Sequence, residues 1–350
     1  MPISAHVSLR DIAKQLNVSH TTVSLALRNH PSIPPERREE VKRVAEQLGY
    51  RPDPMLSSLA QYRVRRRPVS IRSALAWINH WEQPEKLRSF REFDLYWHGA
   101  SESAERFGFR LEEIRWSANY TPQRIEQILQ TRNIRGLLIP PHATMPDWGD
   151  FDWNNYSVIR FGMSVLTPDS HVVTADHQRA VLTAFRIMSE YGYERIGLVV
   201  CGDYDRKLGG NYIGGLAAAQ DLFNFKNNIP PLKTNLDVYS EKPEVAKKLL
   251  AQWLKKHKPD AILTSLNSVP RMIKDLGYNI PKDVAVAGTT IYDVPVDAGI
   301  NQNPEAIGRT AVEMLVAQIN RNERGVPDAP YRTLVESLWR DGKSLPKKTS

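Results

Sequence analysis

Apolar residues spaced three and four positions apart predict three short helices within the first fifty residues. The first helix begins within SLRD at residues 8–11, a capping-box sequence, and the second follows Ser19, a residue type that often caps helices. The third begins at Pro34-Pro35 and ends before Gly49, a residue favoured just past a helix end. Three short helices with a tight turn between the first two predict a helix-turn-helix.

From residue 71 the pattern changes to short apolar strands that alternate with amphipathic helices. Segments such as SALAWI, IRGLLIP and RIGLVV are typical of buried strands, whereas QRAVLTAFRIMSEYGY and EVAKKLLAQWLKKH have helical spacing. Repeated βα units indicate parallel sheets flanked by helices. Because about 280 residues is large for a single sheet, we expect two subdomains around a cleft.

These patterns predict the domain organisation of the chain. Residues 1–50 are expected to form an all-α helix-turn-helix head, residues 51–68 a hinge helix and linker, and residues 69–345 an α/β body of two subdomains. The apolar positions of the hinge span only about two turns, and a helix of that length is not stable alone in water. We therefore expect the hinge to fold only in contact with a partner.

Positive charge is concentrated at the N-terminal end of the chain. Residues 1–67 hold twelve Lys or Arg and six Asp or Glu, so this fifth of the chain carries +6 of the total formal charge of +8. A basic head on a nearly neutral body is typical of a module that binds a polyanion. Small hydrogen-bonding side chains stand at the start of the second predicted helix: His20, Thr21, Thr22 and Ser24. In a helix-turn-helix these positions face base edges, so we expect double-stranded DNA as a partner.

Other classes of function find little support in the sequence. No apolar stretch approaches the ~18 residues that span a bilayer, and Met1–Arg10 lacks the apolar core of a signal peptide, so we expect a cytoplasmic protein without membrane contact. The single cysteine, Cys201, fits a reducing compartment. GGNYIGG at residues 209–215 does not match a dinucleotide-binding loop, and neither metal-ligand spacing nor a nucleophile elbow occurs. We expect no cofactor and no enzymatic activity.

The residues of the head resemble a known family. VSLRDIAKQLNVSHTTVSLAL, with VAEQLGYRPD after it, closely resembles the DNA-binding head of the LacI/GalR family of bacterial transcriptional regulators. The resemblance implies phosphate contacts by five residues: Ser8, Leu9, Ser19, Thr22 and Ser24. It implies base contacts by Arg10, His20 and Thr21.

The head departs from the family pattern at one position. Most members carry arginine directly after the serine of TVS, and this chain carries Leu25, so a direct guanine contact is expected to be missing. Arg28, one helical turn further on, is a candidate for a different base contact. In the hinge, the resemblance implies that Leu59 and its dimer mate wedge into the minor groove once operator DNA folds the segment.

The body resembles the same family throughout. NIRGLLIPP, HVVTADHQRA, GYERIGLVV, KPDAILTS and NIPKDVAVAG look like successive landmarks of the LacI-family regulatory domain, which has the fold of periplasmic sugar-binding proteins. The resemblance implies a small-molecule effector in the cleft, a sugar or related metabolite. It also implies a pseudo-palindromic operator and a homodimer, since SLPKKTS at the C-terminal end is too short for the tetramer-forming helix of some members.

Three residues are candidates for effector binding. Asp176 matches the family's pocket aspartate, and its carboxylate suits either sugar hydroxyls or the cap of the following helix. Asn211 stands where the family usually has an arginine, so an acidic ligand loses its usual partner. Asn267 belongs to a turn that has lost the family's acidic residue. For both asparagines, a role in local structure is the alternative.

Two other kinds of protein explain only half of the chain. A freestanding solute-binding protein would need only the body, and an architectural DNA-binding protein would need only the basic head. A transcriptional repressor that binds its operator and responds to an effector accounts for both halves. The sequence leaves open the effector, the operator sequence, the target genes, and whether the protein represses or activates.

Overall fold

The computed structural model describes residues 7–27, 32–50, 73–117, 119–223, 225, 227–234 and 243–348. The predicted hinge at residues 51–68, with Leu59, and the candidate base contact Arg28 lie outside the described residues. The described part contains an all-α head and an α/β body of two mostly parallel sheets flanked by helices. The predicted fold class is therefore confirmed.

The head consists of α1 (Leu9–Gln15), α2 (His20–Leu27) and α3 (Pro35–Gln47). Their apolar faces meet in one small core: Ile12, Ala13, Val23, Ala26, Val41, Val44 and Ala45. The turn between α1 and α2 contains Asn17 with a φ of 48°, a left-handed conformation that asparagine tolerates better than most residues. The sequence prediction of these three helices is confirmed.

The first subdomain of the body is built on a sheet in which six described strands are all parallel to their neighbours, in the order β11-β5-β4-β3-β1-β2. Its strands are β1 (Ser73–Asn79), β2 (Phe109–Arg115), β3 (Gly136–Ile139), β4 (Ser157–Phe161), β5 (His171–Ala175) and β11 (Arg332–Val335). Its helices are α4 (Pro84–Leu87), α5 (Arg91–Arg106), α6 (Pro122–Thr131) and α12 (Pro304–Arg321). Both faces of this sheet are covered by buried apolar side chains.

The second subdomain has a sheet of six described strands in the order β12-β10-β9-β8-β6-β7, of which only β12 is antiparallel to its neighbour. Its strands are β6 (Ile196–Cys201), β7 (Leu232–Thr234), β8 (Ala261–Thr264), β9 (Ala285–Gly288), β10 (Gly299–Asn301) and β12 (Leu338–Arg340). Its helices are α7 (His177–Glu190), α8 (Gly202–Lys207), α9 (Asn211–Phe223), α10 (Pro243–His257) and α11 (Val269–Asp275). Apolar clusters again cover both faces.

The chain crosses between the two subdomains after β5, after β10 and after β11, within the residues described. The second crossing leads into α12, which packs tightly against α5. Gly308 of α12 lies so close to α5 that a β-carbon there would stand 2.2 Å from the backbone oxygen of Tyr96. This contact fixes the first two turns of α5, which face the second subdomain.

No helix in the described ranges combines the length and the apolar character that a membrane span requires.

Candidate functional site

The N-terminal end of α2 is held by Ser19. The Ser19 hydroxyl oxygen accepts a hydrogen bond from the backbone N–H of Thr22 at 3.0 Å, and it lies 2.8 Å from the Thr22 hydroxyl oxygen. The predicted N-cap is confirmed. Because the first N–H groups of a helix carry partial positive charge, this end of α2 is suited to a phosphate group.

The start of α1 is held by the capping box that SLRD predicts. The backbone N–H and the hydroxyl of Ser8 both donate to Oδ2 of Asp11, at 2.8 and 2.7 Å. These hydrogen bonds from Ser8 lower the pKa of Asp11 below its ordinary value. Ser8 therefore has a local structural role in addition to the phosphate contact that the resemblance implies.

The predicted DNA contacts lie on the outside of the head. Val23 and Ala26 are the buried residues of α2. The exposed residues among the predicted contacts are Ser8, Arg10, Ser19, His20 and Thr21. The half-buried ones are Leu9, Thr22 and Ser24, and Leu25 is half-buried as well. This placement leaves the start of α2 accessible to a duplex, while the residues behind it form the core.

A cavity of about 70 Å³ lies between the two subdomains. Because parallel strands end together at one edge of a sheet, segments that follow strands of both sheets converge on it. Gly162 follows β4, Ser265 follows β8 and Thr289 follows β9, and all three line the cavity. The start of α5 closes one side, and α9 and the segment before it close another.

A buried carboxyl group, that of Glu92, lines the cavity from α5. Only 6% of Glu92 is exposed, and Oε1 accepts a hydrogen bond from the Tyr96 hydroxyl at 3.2 Å. Burial, and secondarily the negative charge of Asp293, raises the pKa of Glu92 to about 7, against the opposing effect of hydrogen bonds from Thr290 and Tyr96. The Glu92 side chain is therefore partly protonated near neutral pH.

Asp293 joins the two subdomains at the cavity wall. Its carboxylate, from the loop between β9 and β10, accepts hydrogen bonds from the backbone N–H groups of Arg91 at 2.8 Å and Glu92 at 3.4 Å. Burial raises the pKa of Asp293, although these two hydrogen bonds act in the opposite direction. The carboxylate thus caps the first turn of α5 from the opposite subdomain.

Other polar groups of the cavity are buried and neutral. Burial lowers the pKa of His177 to about 4, so its ring is uncharged at neutral pH. Thr174, which is 3% exposed, and Ser265 have buried hydroxyl oxygens with no hydrogen-bond partner among the described residues. Buried hydroxyl groups are normally paired, so these two oxygens point to a polar ligand. No cluster of three or more metal-binding side chains occurs in the described parts of the chain.

The three predicted effector residues lie beside the cavity lining. Asp176 caps α7, since its Oδ1 accepts from the backbone N–H of Arg179 at 2.9 Å. Asn211 is the half-buried first residue of α9, and Asn267 is exposed before α11. None of the three is among the cavity-lining residues of the described chain, so their role in effector binding stays a prediction.

The residues that line the cavity are close neighbours of the predicted ones. His177 and Tyr212 each follow a predicted residue directly, and Ser265 precedes Asn267 by two positions. Sequence reasoning missed these three residues together with Glu92 and Asp293. The rule that ligands bind beyond the carboxyl ends of parallel strands is the signal that identifies Ser265. No comparable signal marks Glu92, because its burial depends on packing between the subdomains.

Comparisons with known sequences agree with the two parts of the chain. Residues 8–53 match the family described as bacterial regulatory proteins, lacI family, and residues 185–342 match a periplasmic binding protein-like domain. The probable HTH-type transcriptional repressor ExuR of Bacillus subtilis is 50% identical over 54 residues, which are 15% of this chain and 16% of ExuR. The HTH-type transcriptional repressor PurR of Haemophilus influenzae is 22% identical over 335 residues, which cover 91% of this chain and 93% of PurR.

Solved structures share the fold over nearly the whole chain. The transcriptional regulator CelR in complex with cellobiose has 19% identity and a TM-score of 0.58, covering 97% of this chain and 100% of that one. The lac repressor dimer bound to operator and the anti-inducer ONPF has 15% identity and a TM-score of 0.51, covering 98% and 100%.

Head and body together define the class of protein, a DNA-binding transcriptional regulator with a periplasmic-binding-protein-like body. Residues 8–53 belong to the lacI family of bacterial regulatory proteins, and the chain as a whole is similar to transcriptional regulators of that family.

Proposed function

We propose that the protein is a cytoplasmic repressor that binds a pseudo-palindromic operator as a homodimer and is modulated by a small polar effector of the sugar class. The observation that carries this proposal is the presence, in one chain, of an exposed helix-turn-helix face and a cavity between two sheets with buried hydroxyl groups. The complexes named above, CelR with cellobiose and the lac repressor with operator, support the two kinds of ligand.

On the DNA side, we assign base contacts to Arg10, His20 and Thr21, with Arg28 as a further candidate. Phosphate contacts are assigned to Ser8, Leu9, Ser19, Thr22 and Ser24. The exposure of α2 at its start supports this assignment. We also propose that Leu59 wedges into the minor groove, a contact that costs unstacking energy but bends the duplex toward more protein surface.

On the effector side, the cavity is bounded by both subdomains, so an occupant contacts both and changes the free energy of their closure. Coupling of this kind is typically ~1–3 kcal/mol and is reciprocal between effector and DNA. We propose that Glu92, Thr174, Ser265 and Asp293 contact the effector. Effector binding by Asp176, Asn211 and Asn267, which lie beside the lining residues, remains a further part of the proposal. The relatives named above are regulators, and we propose that this chain catalyses no reaction.

Genome-wide mapping of the DNA bound by this protein, followed by titration of the recovered sites with purified protein, tests the proposal. We expect a pseudo-palindromic motif and a stoichiometry of two chains per duplex. A compound that binds the cavity should change the operator Kd by roughly 5- to 150-fold. Binding without a shared motif, or one chain per site, would contradict the proposal.

A further inference from the structure

Among the described residues, the cavity is lined by two carboxylic acids and by no lysine or arginine, and its one histidine, His177, is neutral. The two acids are Glu92 and Asp293. Asp205 lies behind the wall, where its Oδ1 accepts a hydrogen bond from the backbone N–H of Tyr212 at 2.8 Å. Within the described residues Glu92 contacts the hydroxyl groups of Tyr96 and Thr290 but forms no ion pair. A buried carboxylate without a basic partner favours a ligand that brings positive charge.

Aromatic rings line the same cavity as this carboxyl group. Phe90, the N-cap of α5, is followed by Phe93 and Tyr96 within the helix, with ring centroids 5.5 Å apart for the first pair and 5.9 Å for the second. Tyr204 and Tyr212 line the cavity from the second subdomain. The faces of aromatic rings attract an organic cation, and this attraction is strongest where water is excluded.

The unpaired hydroxyl groups add a second requirement. Thr174 from the first subdomain and Ser265 from the second have buried oxygens without partners among the described residues. A ligand with hydroxyl groups satisfies both oxygens and connects the subdomains. The acid, the aromatic rings and the unpaired hydroxyl groups of the cavity are therefore complementary to a ligand that is both cationic and hydroxylated.

We propose that the effector is a compact hydroxylated amine, such as an amino sugar or an aminated polyol, whose ammonium group pairs with Glu92 against the aromatic rings. The assignment rests on the proposed function of the cavity as the effector site. It narrows the ligand from sugars in general to those that carry a positive charge. The competing arrangement is a neutral sugar whose hydroxyl accepts a hydrogen bond from protonated Glu92.

Calorimetric titration of the full-length protein with matched pairs of compounds separates these arrangements. The pairs are sorbitol with 1-amino-1-deoxysorbitol, and glucose with 2-amino-2-deoxyglucose and its neutral N-acetyl derivative. A charge-assisted hydrogen bond predicts that an aminated compound binds at least about tenfold more tightly than its neutral partner. Equal or tighter binding by the neutral partners, or no binding by any aminated compound, would overturn the proposal.

Two variants with the same chemical change identify the group responsible. Glu92→Gln keeps the shape of the side chain but removes its charge, so the preference for the aminated compound should fall to within about threefold. Glu102→Gln makes the same change on the exposed face of α5 and should retain the full preference. A preference that survives in Glu92→Gln would show that another group binds the cation and would overturn the assignment to Glu92.

The pH dependence gives an independent readout. Glu92 is faced by Asp293, Thr290, Tyr96, Tyr212 and Tyr292. Burial raises the pKa of the three tyrosines, and His177, with a pKa of about 4, stays neutral from pH 6 to 8. Because Glu92 has a pKa of about 7, 1-amino-1-deoxysorbitol, whose primary amine stays protonated over this range, should bind about tenfold more weakly at pH 6 than at pH 8. In Glu92→Gln this change should disappear, and an unchanged pH dependence would contradict the proposal.

Operator titrations with and without the same compounds separate this inference from the proposed function. If an aminated compound binds and operator affinity does not change, the cationic ligand stands and the effector role of the cavity fails. If only a neutral sugar changes operator affinity, the effector role stands and the cationic ligand fails.

Discussion

Glu92 links the stability of the body to pH through a single side chain. Its pKa of about 7 in the folded protein exceeds the ordinary value of 4.5, so the folded state keeps a proton that the unfolded chain has lost between these pH values. The contribution of Glu92 to the free energy of unfolding therefore falls by about 3 kcal/mol as pH rises from 4.5 to 7, whereas the buried histidines His142 and His177 act in the opposite direction. Above neutral pH, the ionised carboxylate that would bind a cation therefore lowers the stability of the ligand-free protein.

The variant Glu92→Gln should remove this dependence. We expect little difference from the wild type near pH 4.5 and a gain of up to about 3 kcal/mol at pH 8 in ligand-free protein. Urea denaturation followed by tryptophan fluorescence at several pH values measures the difference. Glu102→Gln is the control, because it makes the same chemical change at an exposed position of the same helix. The buried histidines His142 and His177, with pKa values of about 3 and 4, titrate equally in both variants, so their effect cancels in the comparison. Parallel pH profiles for wild type and Glu92→Gln would contradict the expectation.

Two substitutions at the start of α2 should have different effects on DNA recognition. Thr21 is exposed, and a base contact is worth ~1–3 kcal/mol of discrimination, so Thr21→Ala should relax the preference at one or two base pairs of each half-site. Ser19 caps α2, so Ser19→Ala should weaken binding to all sequences about equally and cost the head ~1 kcal/mol of stability. Selection from a randomised duplex library measures both. Identical motifs for Thr21→Ala and wild type would show that Thr21 reads no base.

For the effector site, the sequence pattern identified a segment beside the cavity but not the side chain that lines the cavity. Asp176 is predicted from its match to the family's pocket aspartate, with a cap of the following helix as the alternative. The structure uses its carboxylate to cap α7 and places the next residue, His177, in the cavity wall. Because Asp176 is held by the helix cap, the side chain of the next residue, His177, is the one that lines the cavity.

At the scale of elements, the buried strands with continuous apolar runs were predictable and three short edge strands were not. Buried parallel strands such as β1, β3 and β6 are continuous apolar runs that stand out in the sequence. The edge strands β7, β11 and β12 are three or four residues long and partly exposed, so their apolar pattern is too short to recognise. Their strand geometry depends on pairing with neighbours that lie far away in the sequence.

The contact between α5 and α12 depends on a glycine that the sequence does not single out. A β-carbon at Gly308 would approach the backbone oxygen of Tyr96 to 2.2 Å, so Gly308→Ala should move the helices apart and cost ~1–3 kcal/mol. Because α5 carries Glu92 and Tyr96, the same variant should weaken effector binding. Thermal unfolding and calorimetric titration measure the two effects.

Gly214 in α9 provides the matched control for Gly308. A β-carbon there would meet its nearest neighbour, the Gln178 side chain, at 3.9 Å, which is an ordinary contact. Gly214→Ala should therefore stabilise the body by ~0.5–1 kcal/mol, because alanine loses less conformational freedom in a helix. If both variants changed stability in the same direction, close packing of α5 on α12 would not be the cause.

In the whole molecule, the two ligands meet opposite electrostatic environments. The head segment, residues 1–67, carries +6, whereas the cavity wall presents Glu92 and Asp293 and no lysine or arginine among the described residues. The basic side chains described in the head are exposed or half-buried, so their attraction for phosphate is screened by salt. Glu92 is buried and Asp293 is half-buried, so the carboxyl groups of the cavity are screened less. Salt concentration therefore distinguishes the two binding events in one protein.

Operator binding should weaken steeply as salt rises, because neutralised phosphates release counterions. If a dimer neutralises about six phosphates, a plot of log Kd against the logarithm of the salt concentration has a slope of about 5. The affinity then falls about a thousandfold between 50 and 200 mM salt. Fluorescence anisotropy over this range measures the slope. Lys282→Gln, a change on the exposed surface of the body, should leave the slope unaltered. A flat response in the wild type would show that the charge of residues 1–67 does not contact the duplex, and the electrostatic basis for DNA binding would fail.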